Sequence, residues 1–310
     1  MAKSILSLKN LKALSMSTDK FEEGAMRPLA KLKNLQHLCV EDYSWGSGTG
    51  KDNVVRSILL NSRSTLRSLS VHTSSYATCF LEDWEKAVSA SKSKQPRSLA
   101  ALKSFTLAGV LFDRGNFLES MQKAIDFAGL QELKLGRLSQ GKHLLFQYLA
   151  GLASSAPDKR INLRILSVNM SHNRHVETPE QKQMAFDAQC AFISSFDTLS
   201  SLELVDYNQY PQEQPVNPGL SEPLLQAILK HENLKVLRIS YTGIISGCKI
   251  PYLSAETVTT IVNNLPNLEE IEFAPEESEI VRPLLALLLP SMLTCVNRIK
   301  SEKHLLAAPI

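Results

Sequence analysis

The pattern LxxLxL, in which L stands for an apolar side chain and x for any residue, recurs nine times along the chain. The nine hexamers are LKALSM (11–16), LQHLCV (35–40), LRSLSV (66–71), LKSFTL (102–107), LQELKL (130–135), LRILSV (163–168), LSSLEL (199–204), LKVLRI (234–239) and LEEIEF (268–273). Their first leucines are 24 to 36 residues apart. One such hexamer arises readily by chance, but nine at near-even spacing indicate an internal structural repeat.

Each hexamer predicts a short strand entered through a turn. Its last three residues alternate apolar, polar, apolar, so the two apolar side chains lie on one face of a strand. We expect the first leucine to point into the same core. The residue before that leucine is Gly129 in one repeat and asparagine in five others, namely Asn10, Asn34, Asn162, Asn233 and Asn267. Both residue types tolerate the left-handed conformation in which helices commonly end, so a helix should end before each strand.

The segments between the hexamers predict helices. Apolar side chains expected to share a helix face are Val258, Ile261, Val262 and Leu265 in residues 254–265, Phe117, Leu118, Met121 and Ile125 in 116–129, and Leu144, Leu145, Tyr148, Leu149 and Leu152 in 143–153. Ser254 is a suitable N-cap, and Asn116 with Glu119 has the spacing of a capping box. Pro223 favours a helix start within residues 221–232.

With strand, loop, helix and loop alternating, the sequence resembles leucine-rich-repeat proteins of the long-repeat, ribonuclease-inhibitor-like and F-box-associated type, over roughly residues 5–290. The resemblance implies an α/β fold, a right-handed leucine-rich-repeat solenoid (horseshoe) of about nine strand-helix repeats, with a parallel concave sheet and helices outside. Strands ~4.8 Å apart beside helices ~8–10 Å apart force such an array to curve. We assign residues 1–290 to the solenoid and 291–310 to a C-terminal cap and tail.

The sequence departs from the family pattern after the strands. The family places Asn or Cys three residues beyond the last strand leucine, where the side chain bonds to the loop backbone. The corresponding residues are Asp19, Tyr43, Ser74, Val110, Leu138, Ser171, Tyr207, Thr242 and Glu276. The chain therefore has no Asn or Cys ladder, and we expect irregular loops after the strands.

The composition and the motifs of the chain give little support to catalysis, metal binding or a nucleic-acid partner. The formal charge is +3, and the five scattered cysteines fit reduced thiols in a cytoplasmic or nuclear protein. WGSGTGKD (45–52) is not a phosphate loop, because Trp45 replaces the required first glycine and Asp52 the Mg²⁺-binding hydroxyl. HNRHVE (172–177) is a weak metal-site candidate. We expect no catalytic residues, cofactor, metal, small-molecule substrate or membrane contact.

The remaining candidate function is binding of a protein partner on the concave face or on an aromatic rim. Strand positions that flank the buried pair face the concave wall, and the post-strand loops carry tyrosines and a tryptophan, which are typical interface anchors. The candidate partner-binding residues are Tyr43, Trp45, His72, Tyr76, Glu132, Lys134, Tyr207, Tyr210, Arg238 and Tyr241. Alternatively, the loop aromatics pack inward and only fill the loops.

Three functions fit this surface. The resemblance to F-box-associated repeats implies the substrate-recognition part of a ubiquitin ligase receptor, although no F-box-like helical segment precedes residue 5. A GTPase-activating leucine-rich-repeat regulator would need an arginine in a loop at a strand end to stabilise phosphoryl transfer, and Arg114 and Arg137 occupy such loops. The third function is a plain scaffold. A GTPase-stimulation assay on alanine variants of the two arginines separates the second from the others.

Overall fold

The computed structural model describes residues 10–17, 23–42, 50–73, 81, 83–91, 95–110, 116–136, 141–155, 160–170, 178–205, 220–240 and 253–273. Within these ranges, nine strands form one parallel sheet in the order of the sequence. The strands are β1 (Ala13–Ser17), β2 (His37–Asp42), β3 (Ser68–Thr73), β4 (Ser104–Ala108), β5 (Glu132–Leu135), β6 (Ile165–Asn169), β7 (Ser201–Val205), β8 (Val236–Ser240) and β9 (Glu270–Glu272). Each strand overlaps one hexamer, so the predicted strand positions are confirmed.

One α-helix lies in each connection between successive strands of the described chain. The helices are α1 (Glu23–Met26), α2 (Gly50–Asn61), α3 (Trp84–Ala90), α4 (Phe117–Ala124), α5 (Lys142–Ala153), α6 (Pro179–Ser194), α7 (Glu222–Leu229) and α8 (Ala255–Asn264). In the described chain, two 3₁₀ helices, Arg27–Lys31 and Phe127–Gly129, follow the α-helices of the first and fourth repeats. The molecule is thus an α/β repeat array built on a single open sheet.

The strands bury alternate side chains on one face of the sheet only. In β3, β4, β7 and β8 buried residues alternate strictly with half-buried ones. The buried set joins the inward helix residues in one continuous hydrophobic core, and the first leucines of the hexamers enter the same core as predicted. Strand pairing is in register, for example Leu202 beside Leu237 and Glu203 beside Arg238. The helices therefore cover one face, and no described element covers the other, which we call the open face.

Each turn into a strand is held by the same pair of hydrogen bonds. The carbonyl oxygen of Lys12 accepts the N–H of Gln36 at 2.7 Å and that of His37 at 3.0 Å. The residues whose carbonyls repeat this arrangement are Gln36, Arg67, Lys103, Gln131, Arg164, Ser200 and Lys235. Each of these residues directly precedes a strand, so the bonds fix both the register of the sheet and a regular row of residues along its edge.

The prediction of left-handed backbone before the first leucines holds at only one asparagine. Asn34 has φ 62°, whereas Gly129, Asn162, Asn233 and Asn267 do not have positive φ. The helices end before these residues, and turns lead from the helices into the strands. In one such turn, the Leu234 N–H donates to the carbonyl oxygen of His231. At this position the side chain instead bonds to the preceding repeat: Thr65 to the Leu35 carbonyl, Thr198 to Leu163 and Asn267 to Glu232, at 2.8, 2.6 and 2.9 Å.

Helix caps and helix faces agree with the sequence in part. Ser254 caps α8 as predicted, its Oγ accepting the Thr257 N–H at 3.1 Å. The capping box predicted at Asn116 is wrong, because that side chain makes no cap bond and Glu119 pairs with Lys123 at 2.7 Å. A capping box forms instead at Thr178 of α6.

The predicted face of α5 is wrong at one position. Leu144 is 39% exposed, whereas Phe146, which the pattern left out, is completely buried. Phe146 belongs to a series of aromatic contacts that crosses successive repeats. The ring pairs are Phe105–Phe127, Phe127–Tyr148, Phe146–Phe192, Phe192–Phe196 and Phe196–His231, with centroids 5.3 to 6.4 Å apart. Because α5 supplies both Phe146 and Tyr148, its orientation follows these rings and not its leucines alone.

The last aromatic partner, His231, is a fully buried histidine between two repeats. Its Nε2 lies 3.1 Å from the carbonyl oxygen of Ile193 in α6. Burial lowers the pKa of His231 below the usual value, against the opposing effect of hydrogen bonds to the backbone. The imidazole is therefore neutral in the folded protein at neutral pH.

We expect this burial to make the protein less stable in mild acid. As pH falls below about 6.5, the unfolded chain binds a proton at His231 while the folded chain does not, so unfolding becomes more favourable until the folded pKa is reached. Guanidinium unfolding at several pH values should show a smaller acid loss in His231→Gln than in wild type. His37→Gln, which makes the same substitution at an exposed side chain, is the comparison variant. A slope in His231→Gln as steep as in wild type would contradict the prediction.

Several sequence predictions lie outside the described residues. They include the C-terminal cap and tail and, apart from buried Val110, all of the post-strand positions compared with the family ladder. In the phosphate-loop-like stretch, α2 begins at Gly50, so the predicted post-strand loop is shorter than residues 45–52. The motif at 172–177 is also outside the described ranges.

Candidate protein-interaction face

The open face is formed by the strand side chains that alternate with the buried ones. Because the strands pair in register, these side chains form straight rows across the sheet. The central row consists of Ser15, Cys39, Ser70, Thr106, Lys134, Ser167, Glu203, Arg238 and Glu272. The row is small and neutral from β1 to β4 and mostly charged from β5 to β9.

Arg238 of β8 forms the most connected ionic group on the open face. Its guanidinium donates to Glu270 Oε1 of β9, with both Nε and Nη2 at 2.9 Å. Its Nε also lies 3.6 Å from Glu272 Oε2. The Arg238 side chain remains 40% exposed, so a partner can reach the guanidinium beside its carboxylates. This cluster therefore consists of one guanidinium group beside the carboxylates of Glu270 and Glu272.

Glu132 and Lys134 of β5 form a second ionic group. The Lys134 Nζ lies 2.7 Å from Glu132 Oε1, although the two side chains are separated by one residue of the same strand. Partial burial of Glu132 disfavours its charged form. Hydrogen bonds from Lys134 and Ser104 outweigh that effect and lower the pKa of the Glu132 carboxyl below its usual value. The Glu132 carboxyl is therefore ionised at neutral pH.

The neutral half of the face contains His72 and Cys39. The His72 Nε2 and Ser70 Oγ are 2.8 Å apart on the same strand, which holds the imidazole against β3. Cys39 is a free, half-buried thiol on β2, and buried Cys190 of α6 is also free. Burial and the nearby Asp187 raise the pKa of Cys190 to about 12, so this thiol is neutral and unreactive.

An apolar strip lies between the two ionic groups, and the sequence prediction missed it. Ile165 of β6 is 38% exposed, and it shares a row with Ser201 and half-buried Val236. The strip is therefore flanked by Glu132 on β5 and by Glu270 on β9. The signal was available, because Ile165 precedes a buried leucine and period-two alternation places it on the open face.

The structure locates four of the ten predicted partner-binding residues. His72, Glu132, Lys134 and Arg238 all lie on the open face, but only Glu132 and Lys134 contact each other. His72 is two strands from β5, and Arg238 is three strands from it, which corresponds to about 10 and 14 Å. The remaining six, Tyr43, Trp45, Tyr76, Tyr207, Tyr210 and Tyr241, lie outside the described residues, as do Arg114 and Arg137. The aromatic rim and the alternative of inward packing both remain sequence predictions.

Neither a metal centre nor a membrane-spanning helix is found in the described ranges. There, no three His, Cys, Asp or Glu side chains are placed so that they could hold a metal ion. Among the same residues, no helix combines the length and apolar character needed to cross a lipid bilayer.

Comparison with known proteins adds little. No protein-family model matches the chain, and no curated protein matches it. A crystal structure of a protein from Bacteroides fragilis has 16% sequence identity and a TM-score of 0.41, covering 87% of this chain and 76% of its own. A likeness at that TM-score carries no argument about function.

Proposed function

We propose that this chain is a leucine-rich-repeat protein whose open face binds a protein partner. The supporting observation is a nine-stranded parallel sheet with one open face throughout the described chain. Parallel sheets are normally covered on both faces. Apart from the apolar strip, this one carries mostly serine, threonine and charged side chains where a second layer would require apolar ones, and stacked repeats commonly use such an exposed sheet for binding. We propose the right-handed horseshoe geometry of that family on the same basis.

The contact centre that fits best is the apolar strip together with its flanking ions. Protein interfaces commonly combine an apolar centre with a polar rim, and arginine is enriched among the residues that dominate binding. Ile165 supplies the apolar centre, and Lys134 and Arg238 supply the charged flanks. The specific form proposed is the substrate-recognition part of an F-box-type ubiquitin ligase receptor, supported only by the family resemblance of the repeats.

A site-specific photo-crosslinking experiment tests the binding face. A photoreactive amino acid placed at Ser167, next to the strip, should give a discrete protein adduct in cell extract. The same amino acid at Gln183, exposed on α6, should not give that adduct. Equal adducts from both positions, or none from Ser167, would remove the open face as the binding surface.

The identified partner then allows a quantitative prediction. Arg238→Ala should weaken binding at least about fivefold, corresponding to about 1 kcal/mol, because it removes an exposed guanidinium from the contact centre. Lys182→Ala on the helix face is the matched control and should bind as wild type does. Titration of both variants by calorimetry provides the measurement.

The ligase hypothesis predicts that depletion of this protein lengthens the half-life of the crosslinked partner. An unchanged half-life argues for a scaffold.

A further inference from the structure

The residues that directly precede the strands form a second surface, separate from the open face. The row consists of Lys12, Gln36, Arg67, Lys103, Gln131, Arg164, Ser200, Lys235 and Glu269. Five of these nine residues are basic and one is acidic. The five basic side chains are all exposed. We call these nine residues the basic row.

The geometry of the basic row is fixed by the backbone and not by its side chains. Each of the first eight residues uses its carbonyl oxygen to accept two N–H groups from the next repeat, at 2.7 to 3.1 Å. The row therefore follows the sheet edge with the ~4.8 Å spacing of neighbouring strands. Successive basic residues, which precede β1, β3, β4, β6 and β8, are consequently about 5 to 10 Å apart. Such a spacing suits a ligand that carries several negative charges along an extended chain.

The side chains of the basic row extend along the edge, where a ligand can contact several of them together. Lys103 Nζ donates to the Gly129 carbonyl of the next repeat at 3.1 Å. Lys235 Nζ reaches Glu269 Oε1 on the next residue of the row at 2.5 Å. In the described part of the chain, no acidic side chain forms an ion pair with Lys12, Arg67 or Arg164. Three cations of the row are thus available for an anionic ligand.

A groove opens beside the half of the row that belongs to β6, β7 and β8. Its volume is about 790 Å³, and its lining includes Asn162 and Thr198, each two residues before a member of the row. Arg160 and Lys230 also line the groove, together with one acid, Asp197. The positive charge of the row therefore continues into a space large enough for side chains of a bound segment.

We infer that the basic row binds an extended acidic protein segment. A polypeptide fits better than a nucleic acid for two reasons. Glu269 stands in the row, and Asp197 lies in the groove, where carboxylates oppose a continuous phosphate backbone. None of the nine residues is aromatic, so the row offers no platform for stacking bases. A peptide with spaced carboxylates can avoid the two acids and pair with the cations.

Fluorescence anisotropy with a labelled peptide of alternating glutamate and glycine tests this inference. The peptide should bind wild type at low salt and lose affinity at about 0.15 M salt, where exposed charges are screened. The double variant Arg67→Gln and Arg164→Gln should bind about 2- to 30-fold more weakly, because each exposed ion pair contributes modestly. The control variant Lys86→Gln and Lys182→Gln, which removes the same charge from α3 and α6, should bind as wild type does.

Three outcomes would overturn the inference. They are no binding of the peptide to wild type, equal binding by both double variants, and an equal or tighter response to labelled oligothymidylate, which would indicate a nucleic-acid surface. Circular dichroism verifies that both double variants are folded. Because no open-face residue is changed, failure here leaves the proposed function untouched, and failure of the crosslinking experiment leaves the basic row untouched.

Discussion

Replacement of Phe105 by alanine is expected to lower the free energy of unfolding by about 3–5 kcal/mol. Phe105 is fully buried on β4, and its ring meets that of Phe127 edge-on at a centroid distance of 6.4 Å. Alanine leaves a cavity in the middle of the sheet and removes the first contact of the aromatic series. Chemical denaturation followed by circular dichroism measures the loss.

The adjacent residue provides the matched control. Thr106 lies on the open face, where truncation leaves no cavity, so Thr106→Ala should change the free energy of unfolding by only about 0.5–1 kcal/mol. Neighbouring residues of one strand should thus differ several-fold. Equal losses at both positions would mean that the two faces of β4 are equally buried, which contradicts the one-sided core.

Substitution of two glycines by alanine should have opposite effects on stability. Gly109 has φ +79°, and an alanine Cβ there would overlap the backbone carbonyl oxygen of Thr73 at the end of β3. We expect Gly109→Ala to destabilise by at least about 2 kcal/mol, since left-handed backbone costs ~1–2 kcal/mol and forced repacking costs ~1–3 kcal/mol. The close approach also explains why a glycine follows β4.

Gly151 of α5 is the control for that substitution. A Cβ at this helical position meets no atom within 4 Å. Gly151→Ala should therefore stabilise by roughly 0.5–1 kcal/mol, because alanine has the higher helix propensity. Thermal unfolding of both variants gives the comparison. A Gly109→Ala protein as stable as wild type would show that β3 and the end of β4 are not packed as described.

The strands could be predicted from sequence because their signal is local. In each hexamer, two alternating apolar side chains follow the first leucine. They define a strand and its buried face without knowledge of the neighbouring repeats. In-register stacking then follows from the repeat, and with it the residues of the open face, including His72, Glu132 and Arg238. The basic row could also be identified from the sequence, because its members occupy the second position of every hexamer.

The features that were missed depend on packing between repeats. Which face of α5 is buried is decided by the rings of Phe127 and Phe192, so Phe146 is enclosed and Leu144 is left exposed. The residue before the first leucine was interpreted through its own backbone preference. Its side chain acts instead on the preceding repeat, as Asn267 does on Glu232. The pairing of Arg238 with Glu270 likewise joins side chains of two neighbouring repeats.

Cysteine crosslinking between adjacent strands tests most directly whether the repeats stack in register with one open face. Ser167 and Glu203 are register partners, and Ser167 Oγ donates to Glu203 Oε2 at 2.8 Å. Cysteines at these two positions should form a disulfide under mild oxidation, mapped by mass spectrometry, because strand neighbours lie within disulfide reach. Ser167→Cys paired with Leu204→Cys, on opposite faces, should not crosslink. Equal crosslinking of both pairs, or of the second alone, would contradict the register and the open face together.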